Sequence, residues 1–404
     1  MKIAVLGVGT VGSGVFNVIQ ENQAKIQEIL GEPLTITYAL DRRQAEDLDV
    51  DTTHVTVTDN IEEIYNSDVD VVVETMGGLH PAGDFIATLL SKGKHVVTAN
   101  KDLLANRIDE LVAIANEHNT LLLYEASVGG GIPLLNAVET GLAANQITSL
   151  TGILNGTSNY ILSKMDFDHW SYEQALQEAQ VAGFAEADPT NDVEGYDVQF
   201  KIAVLSRLAF GLSIDADQIQ VSGISNINSR DVEIGNDMGL TVKLIAKGDW
   251  LGEDRVSIQV APMMLTQASP LANVHYAQNG AVIQGNAVGQ TALFGPGAGS
   301  METASAIVSD VMQIAKRRYR PKNFTTTRQA RMQIDERPLN YYVRFKREAS
   351  KQTAEILEAL GLSKDQIKIK KSGVALVLDM ALELRRELEA NDQLAAIYQI
   401  EGEL

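Results

Sequence analysis

Between Glu186 and Lys201 the chain reads EADPTNDVEGYDVQFK, with five carboxylates ahead of one lysine. The run IAVLSRLAFG that follows has the pattern of a buried helix. Asp197 and Lys201 stand at i and i+4, so on a helix they share a face. Val204, Leu205 and Leu208 continue that side, which places the pair in partly buried surroundings. A buried lysine loses its proton readily unless carboxylates hold it charged. Such a lysine can act as a general acid or base. Glu186, Asp188 and Asp192 precede the helix and suit a ligand ammonium. The competing reading is a solvated loop with an ordinary helix salt bridge.

A second group lies at the start of the chain. GVGTVG places glycines at 7, 9 and 12, after the apolar run KIAVL and before a helical pattern carrying Val15, Val18, Ile19, Ile26 and Ile29. Strand, glycine turn and helix in that order form the context of a dinucleotide fingerprint. Gly7 allows the tight turn, Gly9 lets the backbone approach a pyrophosphate, and Gly12 permits close packing. The free N–H groups of Thr10 and Val11 would face the phosphates. A second strand, LTITYAL (34–40), ends at Asp41, 29 residues after Gly12. An acid there binds ribose hydroxyls and favours NAD. Arg42 and Arg43 follow at once and could hold the 2′-phosphate of NADP instead.

Further strands are predicted at 68–78, 94–101 and 120–131, with helices at 81–93 and 102–119 between them. Alternation of this kind predicts an α/β, Rossmann-type, doubly wound parallel sheet. Its ligands sit beyond the strand C-termini. Asp41, Thr75, Lys101 and Glu125 stand at such ends. A cation at a helix N-terminus is slightly unfavourable, so Lys101 asks for a functional reason.

From about residue 134 the pattern changes to an α+β domain. ITSLTGILNGTSNYILSKM (147–165) reads as strand, small-residue turn and helix. The NGTSN turn could hold a carboxylate or be an ordinary capped turn. SYEQALQEAQVAGF (171–184) is an amphipathic helix stopped at Gly183, and 256–265 and 281–288 read as antiparallel strands. GPGAGS opens a long helix at 295–318. The reading gives a dinucleotide domain over 1–133, with a helix at 301–320 packing back on it. A substrate and dimerisation domain follows over 134–300, and a third unit over 336–404.

Composition narrows the chemistry. The chain has 404 residues, 45% hydrophobic, with a net charge of −20. That charge repels phosphate backbones and anionic lipid, so neither nucleic acid nor membrane is an expected partner. There is no cysteine, which removes thiolate nucleophiles, disulfides and Cys-metal sites. No apolar run reaches membrane-spanning length, and the chain is expected in the cytoplasm.

The set GVGTVG, VVTANK, YEASVGGGIP, GILNGTSNYIL, EADPTNDVEGYDVQFK and GPGAGSMETASAIVSD, in this order, resembles homoserine dehydrogenase. The resemblance covers roughly residues 1–320. It implies reversible oxidation of L-homoserine to L-aspartate 4-semialdehyde with NAD or NADP, on the route to threonine and methionine. It implies cofactor contacts from Thr10, Val11, Thr75 and Lys101, closed over by Gly297, beside the Gly7, Gly9, Gly12 and Asp41 contacts read from the fingerprint. Gly156, Thr157, Glu186, Asp192 and Lys201 would meet substrate. Asp197, Lys101 and Lys201 would surround the reacting carbon, with Lys201 the preferred acid/base. The family's sodium-type cation would fall on the Glu125 side chain and the backbone carbonyls of Val128, Gly130 and Ile132. A homodimer or higher homo-oligomer is also implied.

The C-terminal third unit resembles the regulatory ACT module of many members. It has a strand and helix over 341–360 and further elements over 367–391 and 396–400, but lacks the family's Pro-Gly turn. The alternatives are a capping or dimerisation module without ligand. For the whole chain they are another NAD(P)-dependent amino-acid dehydrogenase, or a regulator that senses NAD without turnover. The lysine pair argues against the last.

Overall fold

The computed structural model describes residues 1–316, 326, 328–346, 350–370 and 373–402. The predicted helical residues 317–320 and the predicted positions 347–349 and 371–372 lie outside the described residues.

The first third alternates strand and helix, with β3 and α3 added to the elements read from the sequence: β1 (Lys2–Leu6), α1 (Thr10–Glu21), α2 (Gln23–Leu30), β2 (Thr35–Leu40), β3 (Thr56–Thr58), α3 (Ile61–Tyr65), β4 (Val71–Glu74), α4 (Ala82–Ser91), β5 (His95–Thr98), α5 (Lys101–Glu117) and β6 (Leu122–Leu123). The strands form one sheet in the order β3-β2-β1-β4-β5-β6. Every pairing in it is parallel. This is the doubly wound order, with its switch between β1 and β4. Alternate side chains feed opposite faces. Ile3 and Val5 join one core with Val15 and Ile19. Ala4 and Leu6 join the other with Leu103 and Leu104.

Two sequence expectations change here. The single long first helix is two helices, because Asn22 leaves helical geometry and spends its side chain on the Val18 carbonyl. The strand expected over 120–131 shrinks to Leu122–Leu123, and a 3-10 turn runs over Glu125–Ser127. The Glu125 carboxylate draws the chain round by accepting from the Leu135 and Asn136 N–H groups, at 2.9 and 2.6 Å. Gly129 and Gly130 then take positive φ, which side-chain-bearing residues resist.

The middle of the chain contributes β7 (Ile147–Ile153), α6 (Gly156–Phe167), α7 (Tyr172–Val181), α8 (Tyr196–Phe210), α9 (Ser229–Asp237), β8 (Leu240–Gly252), β9 (Arg255–Thr266), β10 (Gln278–Gly285), β11 (Gly289–Pro296) and α10 (Ser300–Lys316). The long strand β8 was not read from the sequence. Its burial is unbroken from Leu240 to Asp249, and Lys243, Lys247 and Asp249 interrupt the apolar pattern that would betray it. The helix α10 returns to the first sheet, where Ala304, Ile307, Val308 and Val311 share the core of Ile3 and Val5.

The last part adds β12 (Leu339–Phe345), α11 (Ser350–Ala359), β13 (Ile367–Ile369), β14 (Val374–Met380), α12 (Leu382–Glu389) and β15 (Leu394–Glu401). Among the described residues the second sheet runs β11-β10-β7-β8-β9-β15-β12-β14-β13. It is mixed: β8 and β9 pair antiparallel, β9 and β15 parallel. No helix of the described residues is long and apolar enough to cross a membrane.

Candidate active site

The N-terminus of α5 faces the N-terminus of α8. Asn100 caps α5 by accepting from Leu103 N–H at 3.1 Å, and its amide donates to the Gly78 carbonyl at 2.7 Å. Lys101 is thereby fixed on the first turn. Its Nζ lies 3.2 Å from Asp197 Oδ1. From the other side Lys201 Nζ lies 2.7 Å from Asp197 Oδ2 and donates to the Leu154 carbonyl at 2.8 Å. The i, i+4 pair is therefore partly buried, Asp197 more than Lys201, and a second lysine joins it from the nucleotide-binding part of the chain.

Asp197 is almost wholly buried, and burial alone would raise its pKa. The two ammonium groups and the Asn155 amide outweigh burial and hold its carboxyl down at about 2. Burial would lower Lys101, but Asp197 and Asp102 outweigh it and hold the ammonium above the usual lysine value. Asp192 moves the opposite way, raised by burial despite its Asn155 hydrogen bond. One amide, Asn155 Nδ2, donates to both acids, at 2.7 Å to Asp192 and 2.9 Å to Asp197. The same residue caps α6, its Oδ1 accepting from Ser158 N–H at 2.8 Å.

Sequence reasoning passed over Asn155. The available signal was its place at the head of NGTSN, three residues before a serine in a helix start. Glu74 was also passed over. It is fully buried at the end of β4, accepts from Met76 and Gly77 N–H, and receives the Thr98 hydroxyl at 2.5 Å. It shapes the turn at the mouth of the first sheet.

Other expected residues are placed as follows. Gly156 sits where a Cβ would press on the Ala277 carbonyl. The Thr157 hydroxyl donates to the Phe184 carbonyl at 2.7 Å. Glu186 is exposed on its loop, and the described contacts do not join its carboxylate to the Asp197 network. Asp188 is occupied locally by Thr190.

The glycine turn fits a dinucleotide. Gly7 has φ +87°. A Cβ on Gly12 would collide with the Gly7 carbonyl, whereas nothing stands within 4 Å of the Cβ position of Gly9. α1 starts at Thr10 with no side-chain cap, so the Thr10 and Val11 N–H groups are left for an anion. The Thr75 hydroxyl is spent on the Gly7 carbonyl at 2.7 Å and so braces the turn. Asp41 accepts from Val8 N–H and is gripped by Arg43 at 2.9 Å, which holds its carboxyl below the ordinary aspartate value. The 297–299 loop lies alongside: a Cβ on Gly130 would strike Gly297, and Ser300 Oγ donates to the Thr10 carbonyl at 2.6 Å.

Glu125 is buried, and burial pushes its carboxyl up to about 7. Its own N–H donates to Asp310 Oδ2 at 2.8 Å, and Asp310 is likewise pushed well up by burial and by Glu125. Among the described residues no group of three or more His, Cys, Asp or Glu is arranged for a metal ion. The Glu125 carboxylate, which already accepts from the Leu135 and Asn136 N–H groups, and the expected backbone carbonyls of Val128, Gly130 and Ile132 would form an oxygen-only donor set, of a kind that suits a hard cation.

Comparisons with known proteins bear on the family of the chain. Family models described as "Homoserine dehydrogenase, NAD binding domain" and "Homoserine dehydrogenase" match residues 7–125 and 133–312. A homoserine dehydrogenase of Bacillus subtilis is 42% identical over 317 residues, covering 78% of this chain and 73% of the relative. The chain belongs to the homoserine dehydrogenase family. A crystal structure of a homoserine dehydrogenase from Thiobacillus denitrificans superimposes with a TM-score of 0.88 at 32% identity, covering 99% of this chain and 98% of that one. A hyperthermophilic archaeal homoserine dehydrogenase in complex with NADPH matches with a TM-score of 0.65 at 26% identity, covering 77% of this chain and 96% of that one. The chain is thus an oxidoreductase of this family with a nicotinamide-dinucleotide domain.

Proposed function

We propose that the enzyme catalyses the reversible NAD(P)-dependent oxidation of L-homoserine to L-aspartate 4-semialdehyde, with Lys201 as the direct acid/base. The observation that carries the reading is the convergence of Lys101 and Lys201 on Asp197, between the two domains. When bound, the nicotinamide takes or returns the hydride at the alcohol carbon. Thr10, Val11 and the glycine turn would hold its pyrophosphate, and Lys101 would border its reactive end. Gly156 and Thr157, at the start of α6, would receive the substrate carboxylate, and Asp192 with Glu186 its ammonium. In the reductive direction the Lys201 ammonium donates to the aldehyde oxygen. In the oxidative direction the neutral amine takes the hydroxyl proton. Asp197 orients both lysines and offsets their charge.

Asp41 supports NAD, and Arg43 beside it leaves NADP open. A sodium-type ion at Glu125 would relieve the buried negative charge there. The C-terminal unit supports an ACT-like reading, because its β-α-β-β-α-β order and 4-1-3-2 sheet form a split βαβ. Work in the cytoplasm as a homodimer or larger homo-oligomer completes the reading.

Steady-state oxidation of L-homoserine with each cofactor tests it. Turnover of homoserine and of aspartate semialdehyde is expected, and the Asp41→Ala variant should weaken NAD more than NADP. Reduction of aspartate semialdehyde no faster than deamination of common amino acids would sink the reading. Strong NADP preference would mean that the arginines outweigh Asp41.

A further inference from the structure

The lysines of the site come from different domains, so their geometry depends on how α5 sits against α8. Both helices point the same way, with Lys101 and Asp197 meeting at their starts. Ile108 and Leu111 of α5 lie in one core with Ile202, Leu205 and Leu208 of α8. Apolar burial of this kind is non-directional. Sliding one helix by a residue, a rise of about 1.5 Å, would keep most of that burial. It would stretch the 3.2 Å contact between Lys101 and Asp197 and pull the ammonium off its position beside Lys201.

A second polar contact lies two turns further along. Asp109 of α5 accepts from Arg207 Nε at 2.9 Å and from its terminal nitrogen on the same oxygen, Oδ1. Its other oxygen accepts from Ser213 Oγ at 2.6 Å. Arg207 is 3% exposed, so the guanidinium has little freedom. From Lys101 to Asp109 is about 12 Å along α5, and from Asp197 to Arg207 about 15 Å along α8. The long arginine side chain takes up the difference. Two polar contacts separated along nearly parallel helices fix both their slide and their relative rotation.

The same end of α8 is held from a third direction. Ser213 N–H donates to the Arg328 carbonyl at 2.8 Å, the Ser213 carbonyl accepts from Ala330 N–H at 2.9 Å, and the Thr326 hydroxyl donates to the Gly211 carbonyl at 2.9 Å. These residues lead to the C-terminal unit. The nucleotide domain, the helix bearing Asp197 and Lys201, and the approach to the C-terminal unit therefore meet at Asp109, Arg207 and Ser213.

We propose that Asp109, Arg207 and Ser213 are positioning residues, a clamp that sets the register of α5 against α8 and so holds Lys101 in reach of Asp197. None of them touches the reacting atoms. The inference rests on the assignment of Lys101, Asp197 and Lys201 to the reaction.

Its test compares Asp109→Asn, Arg207→Lys and Ser213→Ala with the parent enzyme in full kinetics. A displacement of about 1 Å at a reacting group can cost about a hundredfold, so kcat of Asp109→Asn should fall between about tenfold and a hundredfold. Dinucleotide KM should stay within about twofold, because the glycine turn is untouched. The limb of the kcat–pH profile that reports Lys101 should move to lower pH, as Lys101 loses the carboxylate that holds its ammonium charged. Arg207→Lys keeps the charge without the fork and should fall between Asp109→Asn and the parent, with Ser213→Ala nearest the parent. A clamp that only stabilised the fold would lower the melting temperature and leave kcat and the pH profile of the folded variant unchanged, and that result overturns the inference. Should Asp109→Asn fail to fold, Arg207→Lys decides by the same two readouts. Failure of the underlying assignment looks different: Lys201→Ala would then retain full turnover.

Discussion

Of the buried acids among the described residues, Asp197 and the Glu125–Asp310 pair make the sharpest contrast, and burial pushes on both alike. At Asp197 two lysines and an amide overcome it, and the carboxyl stays ionised, at about 2. At Glu125 and Asp310 the backbone N–H groups do not suffice, and both carboxyls are raised, Glu125 to about 7. The difference is the presence of fixed positive charge inside the protein, the Lys101 and Lys201 ammonium groups. Lys243 completes the comparison from the other side. It is buried with Asn159 Oδ1 and the Val274 carbonyl as acceptors, and burial pulls it down to about 8. A buried charge is kept where its counter-charge is built in. Where it is not, the group moves toward neutrality or calls for an ion from solution.

Removing the built-in counter-charge should have the largest effect. Lys201→Ala is expected to lower kcat by between about a hundredfold and ten-thousandfold, the usual range for a lost acid/base. Dinucleotide binding, followed by fluorescence titration, should survive. Lys101→Ala should also abolish turnover with binding retained. Wild-type-like rates in both would remove the lysine mechanism.

Supplying a counter-charge from solution tests the other centre. Sodium added at constant ionic strength should raise the melting temperature, by the equivalent of about 2.7 kcal/mol at a hundredfold excess over Kd. Glu125→Gln should lose most of that gain. An unchanged melting curve for the parent enzyme would show that this centre does not bind the ion.

The acid limb of stability gives the smallest effect. Asp197 is depressed from 3.8 to about 2 in the fold. Its contribution is therefore fully present above about pH 4 and lost as pH falls through about 2. The loss amounts to about 2 kcal/mol at 1.36 kcal/mol per pKa unit. Denaturant midpoints of parent and Asp197→Asn should thus converge on acidification. Parallel curves over that range would mean that the lysines do not hold Asp197 ionised.

The glycine fingerprint and the strand–helix alternation were legible because each is a local pattern. β3 and β8 were not, since three residues in one and interrupting charges in the other leave no clean period. The candidate site divides similarly. Asp197 and Lys201 could be paired from spacing. Asn155 could be seen as a turn residue, but not as the donor to both Asp192 and Asp197.

The sequence by itself determined the dinucleotide turn, the family resemblance and the Asp197–Lys201 pair, because helical geometry alone puts i and i+4 side by side. Only the tertiary structure decided that Lys101 reaches the same carboxylate, that Asp310 stands behind Glu125, and that Arg207 grips Asp109. These contacts join residues far apart in the chain. They depend on which face of α5 meets α8 and on α10 returning to the first sheet. Burial favours such packing without fixing its register, so the polar pairs that fix it emerge only once the surfaces have met.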